Sequence, residues 1–311
     1  MNLEFTVDQQ ALVESVEAIV QDHLNPPTES RRGSFHYSEA LEHDLLVNGF
    51  LDAIRTPGMG ALEAALVIEA VSRSASVVEV GASALVAPSI MSDVLPRPIA
   101  LASGDLSKPQ RYLPVAKSLI YDAGQSVLVF DVDPENVEPI ESIYAYPIGR
   151  FRRVPSMSEG REIGGPDVAR KLRQWWRLAI AAECAGSMKS AVEFVVEYAK
   201  QRKLFNTTVA SFQAVQHRLA HAHRVARGVR FLVLKAAWSS DPFDAEQAAC
   251  FAQQYISPLV FDLHQFNGGM GVTNENLLHF WTYRLRALQS ETGGANAAAL
   301  ETADILWGMA S

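Results

Sequence analysis

The sequence predicts a mainly α-helical fold: helices at the N-terminus, a small strand-rich segment, then a C-terminal bundle of long helices. Three observations carry this. Apolar residues recur at helical spacing through residues 1–94, while Pro, Gly and short β-prone runs crowd residues 95–166. Helical periodicity then returns and persists over residues 167–311. These three spans are the expected domains.

The first helix follows Thr6, which with Gln9 makes a capping box before Leu12, Val16 and Ile19. A second is expected over about Ser38–Asn48, closed by Gly49 as a C′ glycine, and two more over about Gly60–Arg73 and Ser76–Ser92. Pro88 should distort the last of these or mark its end. In the middle segment, Ser118–Tyr121, Ser126–Val132 and Ile140–Tyr146 read as strands, bounded by Asp133-Pro134 and Pro147. Residues 170–201 read as one long helix, and Asp244 with Gln247 as the cap of another running to about Gln265. The helix after Ser211 has the clearest pattern. Phe212, Val215, Leu219, Ala222, Ala226, Val229, Val233 and Ala236 follow in alternating steps of three and four, a seam for antiparallel neighbours.

Composition narrows the function classes. A hydrophobic content of 48% with 20% charged residues is that of an ordinary globular protein. The net charge of −8 argues against a nucleic-acid surface. No apolar run reaches spanning length, which argues against a membrane protein, and the N-terminal residues lack a secretory pattern. Cys184 and Cys250 sit in apolar helical stretches and read as small hydrophobes in a reducing cytoplasm. His217 and His221 have a zinc-like spacing, but no third ligand accompanies them and no metal is expected.

Two motifs remain. One is Arg202-Lys-Leu-Phe205-Asn-Thr-Thr-Val-Ala-Ser-Phe212-Gln213-Ala-Val-Gln216, and the other Gln265-Phe-Asn-Gly268-Gly269-Met-Gly271. A guanidinium such as Arg202 suits a pyrophosphate, and Phe205 can lie against an adenine or ribose face. Gln213 and Gln265 offer amides, and Gly268 with Gly269 lets backbone approach a ligand. In order and type the pair resembles the acyl-CoA dehydrogenase family, whose Arg-x-x-Phe…Phe-Gln-x-x-Gln run and Gln-x-x-Gly-Gly-x-Gly turn hold the adenosine and pyrophosphate half of FAD. Leu204 and Asn206 depart from the family's Gln and Gly. The resemblance implies an N-terminal helical domain, a middle β domain here truncated, and a C-terminal four-helix bundle.

It also implies what is missing. The family's usual catalytic carboxylate falls on Thr292, and its alternative position on Trp176, beside Arg177; neither side chain accepts a proton from carbon. Glu291, one residue away, is the remaining candidate. The flavin-cradling Thr-Glu-Pro and Gly-Ser-Asp stretch has no counterpart in residues 95–165. The run Gly271-Val-Thr-Asn-Glu275-Asn-Leu-Leu-His279, with Tyr283-Arg284-Leu-Arg286, resembles members from actinobacterial steroid breakdown built of two unlike chains, one shortened. The expectation is therefore a subunit of a heteromeric α2β2 acyl-CoA dehydrogenase. It would share FAD with a second acyl-CoA dehydrogenase-like chain that carries the flavin cradle and base. The alternatives are a self-sufficient homodimer using Glu291 and a purely structural or binding protein.

Overall fold

The structure is a computed structural model of the chain, and residues 4–24, 26 and 35–308 are described. Helix α1 (Val7–Asp22) begins at the capping box of Thr6 and Gln9. Helix α2 (Glu39–Val47) is capped by Ser38, and Gly49 follows it at φ +78°. Helix α3 (Ala61–Val71) is almost wholly buried.

The expected helix over Ser76–Ser92 is not continuous. Residue 76 is a bend, Val77 bridges Tyr37, residues 78–80 belong to no regular element, a wide π turn spans Ala82–Val86, and the short helix α4 covers Ala87–Ile90. Two side chains explain the late start. The buried Glu79 carboxylate accepts the amides of Ala82 and Ser83 and the Ser83 hydroxyl, capping the turn there. Arg284, from far along the chain, donates to the carbonyls of Ser74 and Ser76. Pro88 explains the π turn: without an N–H it cannot bond the Ala84 carbonyl, and the Ala87 amide reaches back to Ala82 instead.

The middle segment folds as two small sheets. Strands β1 (Ile99–Ser103), β3 (Ser118–Asp122), β4 (Val127–Asp131) and β7 (Arg161–Gly164) form one, in the order β1-β3-β4-β7 with β1 and β3 parallel. Strands β2 (Gln110–Arg111), β5 (Val137–Ile140) and β6 (Ile148–Phe151) form the other. The expected strand over Ile140–Tyr146 is instead the connection between β5 and β6. Ala145 at φ +39° turns the chain there.

Helix α5 (Pro166–Gln201) starts earlier than the periodicity suggested, with Pro166 at its first position. Helices α6 (Gln213–Ser239) and α7 (Pro242–Asn267) pack on α5 and on each other, and α8 (Leu278–Leu288) and α9 (Gly294–Trp307) complete the bundle. The cap of α7 is Asp241 and not Asp244, which is buried against Lys235 and Ser239. Of the α6 seam, Leu219, Ala222, Ala226, Val229, Val233 and Ala236 are buried, whereas Phe212 stays partly exposed at the bundle's end. Where α3 crosses α5, a Cβ on Gly186 would lie 2.1 Å from the Glu69 carbonyl oxygen, so only glycine permits this approach. Cys184 is buried and Cys250 half-buried. Among the described residues no helix is long and apolar enough to cross a membrane, and no group of three or more His, Cys, Asp and Glu is placed to hold a metal ion.

Candidate functional site

Two regions bear on chemistry. The first is the end of the bundle where α5 stops, α6 starts and α7 stops. Past Arg202 the chain forms a tight hairpin, Lys203–Leu204 against Thr207–Thr208, closed by Val209 N–H donating to the Arg202 carbonyl at 2.8 Å. Its two turn residues, Phe205 and Asn206, have φ of +51° and +64°. Asn206, where the family pattern has Gly, is the side chain that tolerates this left-handed conformation best. Phe205 is strained there and 90% exposed. Gln216 donates to the Ala210 carbonyl at 2.8 Å, so it braces the loop.

At the end of α7, Gly268 at φ +57° and ψ −144° starts a tight turn over Gly268–Val272. A Cβ at Gly268 or Gly269 would meet nothing within 4 Å, so both backbones lie open. The turn is held from behind. Asn267 donates to the Leu263 carbonyl, Asn276 donates to Asn267 Oδ1 at 3.1 Å, and His264 Nε2 lies 2.9 Å from Thr282 Oγ1. Burial lowers the His264 pKa. Arg218 ties the two halves together: it pairs with Asp262 and lies over the Phe266 ring at 5.2 Å, setting the start of α6 against the end of α7. Arg202, Phe205, Gln213, Gln265, Gly268 and Gly269 thus lie at one end of the bundle, all exposed. Among the described residues the side chains of Arg202, Gln213 and Gln265 have no hydrogen-bond partner.

The second region is a cleft of about 410 Å³ between the small sheets and the bundle, walled by Trp176, Glu291 and Thr292 with Ser103, Gln110 and Ile148. Trp176 and Thr292, far apart in sequence, meet in this one cleft. Its floor is closed by Arg111. Arg111 Nε and Nη2 donate to the two Glu291 oxygens at 2.7 and 2.9 Å. Nη1 donates to Glu183 Oε2 at 2.7 Å. The guanidinium also lies over the Tyr112 and Tyr146 rings at 4.8 and 4.7 Å, and the Tyr146 hydroxyl donates to Glu183 Oε2 at 2.9 Å. Burial pushes the Glu291 carboxyl up, Arg111 holds it down, and Glu183 adds to the rise. Burial likewise pushes the Tyr112 and Tyr146 phenols well up. Gln253 donates to the carbonyls of Leu288 and Glu291, fixing the turn that carries Glu291 and Thr292. The Trp176 indole N–H is buried with no partner. Arg177 points elsewhere, to Glu246 on α7.

Arg111, Glu183 and Tyr146 were not singled out by sequence. Arg111 stands in a two-residue strand that no periodicity marks. Glu183 did leave a signal: a lone acid inside the apolar run Ala179–Ala185.

The comparisons now identify the region. Residues 164–303 match the description acyl-CoA dehydrogenase, C-terminal domain. The C-terminal bundle belongs to the acyl-CoA dehydrogenase family. Over 100 residues this chain is 37% identical to the 3-(aryl)acrylate reductase of Clostridium sporogenes, covering 30% of this chain and 26% of that one. Over 107 residues it is 31% identical to the acyl-CoA dehydrogenase IpdE2 of Mycobacterium tuberculosis, covering 34% of each. The chain thus spans about a quarter to a third of the curated relatives it matches. The whole chain has the acyl-CoA dehydrogenase fold. It superposes on a chain of the ChsE4-ChsE5 complex from Mycobacterium tuberculosis with a TM-score of 0.78 at 20% identity, covering 100% of both. On a chain of the Tcur3481-Tcur3483 steroid ACAD the TM-score is 0.81 at 20% identity, covering 98% of this chain and 99% of that one.

Proposed function

We propose that this chain is one subunit of a heteromeric, FAD-dependent acyl-CoA dehydrogenase that desaturates a CoA thioester between Cα and Cβ. In this reading it supplies the adenosine and pyrophosphate contacts of a flavin cradled by a different, base-carrying chain, in an α2β2 assembly. One contrast carries the reading: the clamp residues are open and unpartnered, whereas Glu291 in the chain's own cleft is held at both oxygens by Arg111. The residues present fit the cofactor. Arg202 offers a free guanidinium for a pyrophosphate, Gln213 and Gln265 free amides, and Gly268 with Gly269 bare backbone. FAD, when bound, accepts the hydride from the substrate's Cβ.

Neither of the family's two base positions supplies a proton acceptor in this reading. Trp176 and a Thr292 hydroxyl are not bases at neutral pH, and both oxygens of Glu291 are occupied by Arg111. Residues 95–166 serve as a truncated middle domain that covers the cleft and does not cradle the flavin ring. The proposed substrate class is a steroid-derived acyl-CoA, supported by the likeness in fold to the Tcur3481-Tcur3483 steroid ACAD.

The test is flavin content. The chain should purify colourless by itself and form a yellow complex with its partner, holding fewer flavins than chains. A stable, fully flavinated homo-oligomer would overturn the proposal and favour the self-sufficient reading. That reading has one observation behind it, since Glu291 borders the cleft and burial raises its pKa.

A further inference from the structure

At the end of the bundle away from the clamp, where α5 and α7 begin beside the second half of α9, lies a groove of about 610 Å³. Several of its charged side chains already have partners. Arg170 pairs with Asp167 and Arg173 with Asp122 on β3, while Asp241 caps α7 by accepting the Phe243 amide at 2.9 Å. Glu246 and Glu301 are different. Glu246 is only 3% exposed and pairs with Arg177 through Oε1. Its Oε2 is buried with no hydrogen-bond partner. Glu301 lines the same groove, is exposed, and among the described residues takes part in no ion pair.

A buried ion pair is ordinarily a structural strut, and a spare oxygen within it is a cost without a return. Here the spare oxygen belongs to a side chain that lines an open groove, with a second carboxylate close enough to act on it. Burial pushes the Glu246 carboxyl up to about 7, Arg177 pulls it down, Glu301 adds to the rise and Arg173 opposes it. Cys250, also on α7, is raised by its own burial and by Glu246. Lys171 lines the groove too, yet among the described residues it comes within ion-pairing distance of neither acid.

Two carboxylates that lack a cation suit an organic ammonium better than a metal. Among the described residues no group of three or more His, Cys, Asp and Glu is placed to hold a metal ion. An ammonium needs less, because its N–H groups can be shared between two acids. Pro242 and Ile305 are both exposed in the groove and give it an apolar wall, which favours an alkyl chain behind the charge. We propose that this groove binds a small primary alkylammonium, which donates to Glu246 Oε2 and to Glu301 and lays its chain against Pro242 and Ile305. The site is separate from the clamp and does not rest on the function proposed above.

The experiment titrates the full chain with n-butylammonium chloride at pH 8 by calorimetry, with tetramethylammonium chloride and sodium chloride as controls. Butylammonium should bind saturably. Tetramethylammonium, which has no N–H, should bind at least about tenfold more weakly, as expected for the loss of charge-assisted hydrogen bonds. Glu246→Gln and Glu301→Gln should each weaken butylammonium binding by a similar factor. From pH 8 to pH 5.5 the wild-type affinity should fall about thirtyfold, because below about 7 a proton competes with the ligand for Glu246, and Glu246→Gln should lose this dependence. Glu301→Gln changes an exposed side chain, so it decides the matter should Glu246→Gln fail to fold. No saturable binding at pH 8, equal effects of the three salts, or wild-type affinity in folded Glu301→Gln would each sink the proposal.

Discussion

Removing the Arg111 side chain tests whether the floor of the cleft is held together by its own charges. Arg111→Ala leaves Glu183 and Glu291 facing one another, with side-chain exposures of 5% and 18%. Stripping one partner from a buried ion pair typically costs about 3–5 kcal/mol, and the partial exposure of Glu291 places the expected loss near about 3. At roughly 2–4 °C per kcal/mol, the melting temperature should fall by about 6–12 °C, read by circular dichroism. The pH dependence gives a second signature. Burial raises the folded pKa of Glu291 above its unfolded value near 4.5, so its contribution to stability is fully present below that value and is lost as pH rises through the folded pKa. Arg111 lowers that pKa, and its removal raises it further. The variant's defect should therefore be larger near neutral pH than at the acid end of the profile. R111M/E183L/E291L should regain most of the loss, because apolar groups of similar volume commonly replace buried ion pairs without cost. A melting temperature for Arg111→Ala within about 2 °C of wild type at every pH would refute the reasoning.

At the clamp, Arg202→Ala should raise the flavin dissociation constant of the complex about 10- to 150-fold, the equivalent of roughly 1.5–3 kcal/mol for a charge-assisted contact. Lys203→Ala, on the exposed hairpin, should leave flavin release unchanged in the same fluorescence assay. Burial pushes the Glu246 carboxyl up to about 7 against the pull of Arg177, so stability should decline by on the order of 3 kcal/mol as pH rises from 4.5 through 7. Denaturant melts of R177M/E246L across that range should lose this slope. Glu291→Gln should leave single-turnover bleaching of the complex by an acyl-CoA nearly intact, whereas loss of a true general base costs about 100-fold or more.

The parts of the fold that were legible in sequence are those set by neighbours in the chain. Thr6 and Gln9 fix the start of α1 across three residues, and the seam of α6 follows from its own periodicity. The parts that were not legible depend on distant side chains. The helix expected over Ser76–Ser92 starts late because Arg284 takes carbonyls about 210 residues away. Arg111 meets Glu183 across 72 residues and Glu291 across 180, in a contact that no local pattern announces. The candidate clamp was legible because its hairpin and glycine turn are local structures, each needing particular residue types at fixed spacing. The cleft was legible only as two substituted positions, Trp176 and Thr292, and not as the ion-paired floor beneath them.

That floor has an electrostatic consequence for catalysis. Glu79, Glu183 and Glu291 border one small cavity with Arg111, and two of these carboxyls, Glu183 and Glu291, share its guanidinium. Glu79 is satisfied by the hydrogen bonds at its turn and by the Ile99 amide, and burial raises its pKa. Removing an α-proton from a thioester builds negative charge on the enolate, and catalysis requires preorganised positive charge or donors where that charge appears. Here Arg111 is spent on resident carboxylates, and Trp176 on the cleft wall holds a buried indole N–H with no partner. An enolate in this cleft would lie over a guanidinium already bound by two carboxyls. Freeing Glu291 to act as a base would release Arg111 from one carboxylate but leave a second, Glu183, bound to it in the same floor. The ion pairs that stabilise the floor therefore occupy both Glu291 and Arg111. On the function proposed above, proton abstraction would fall to the other chain.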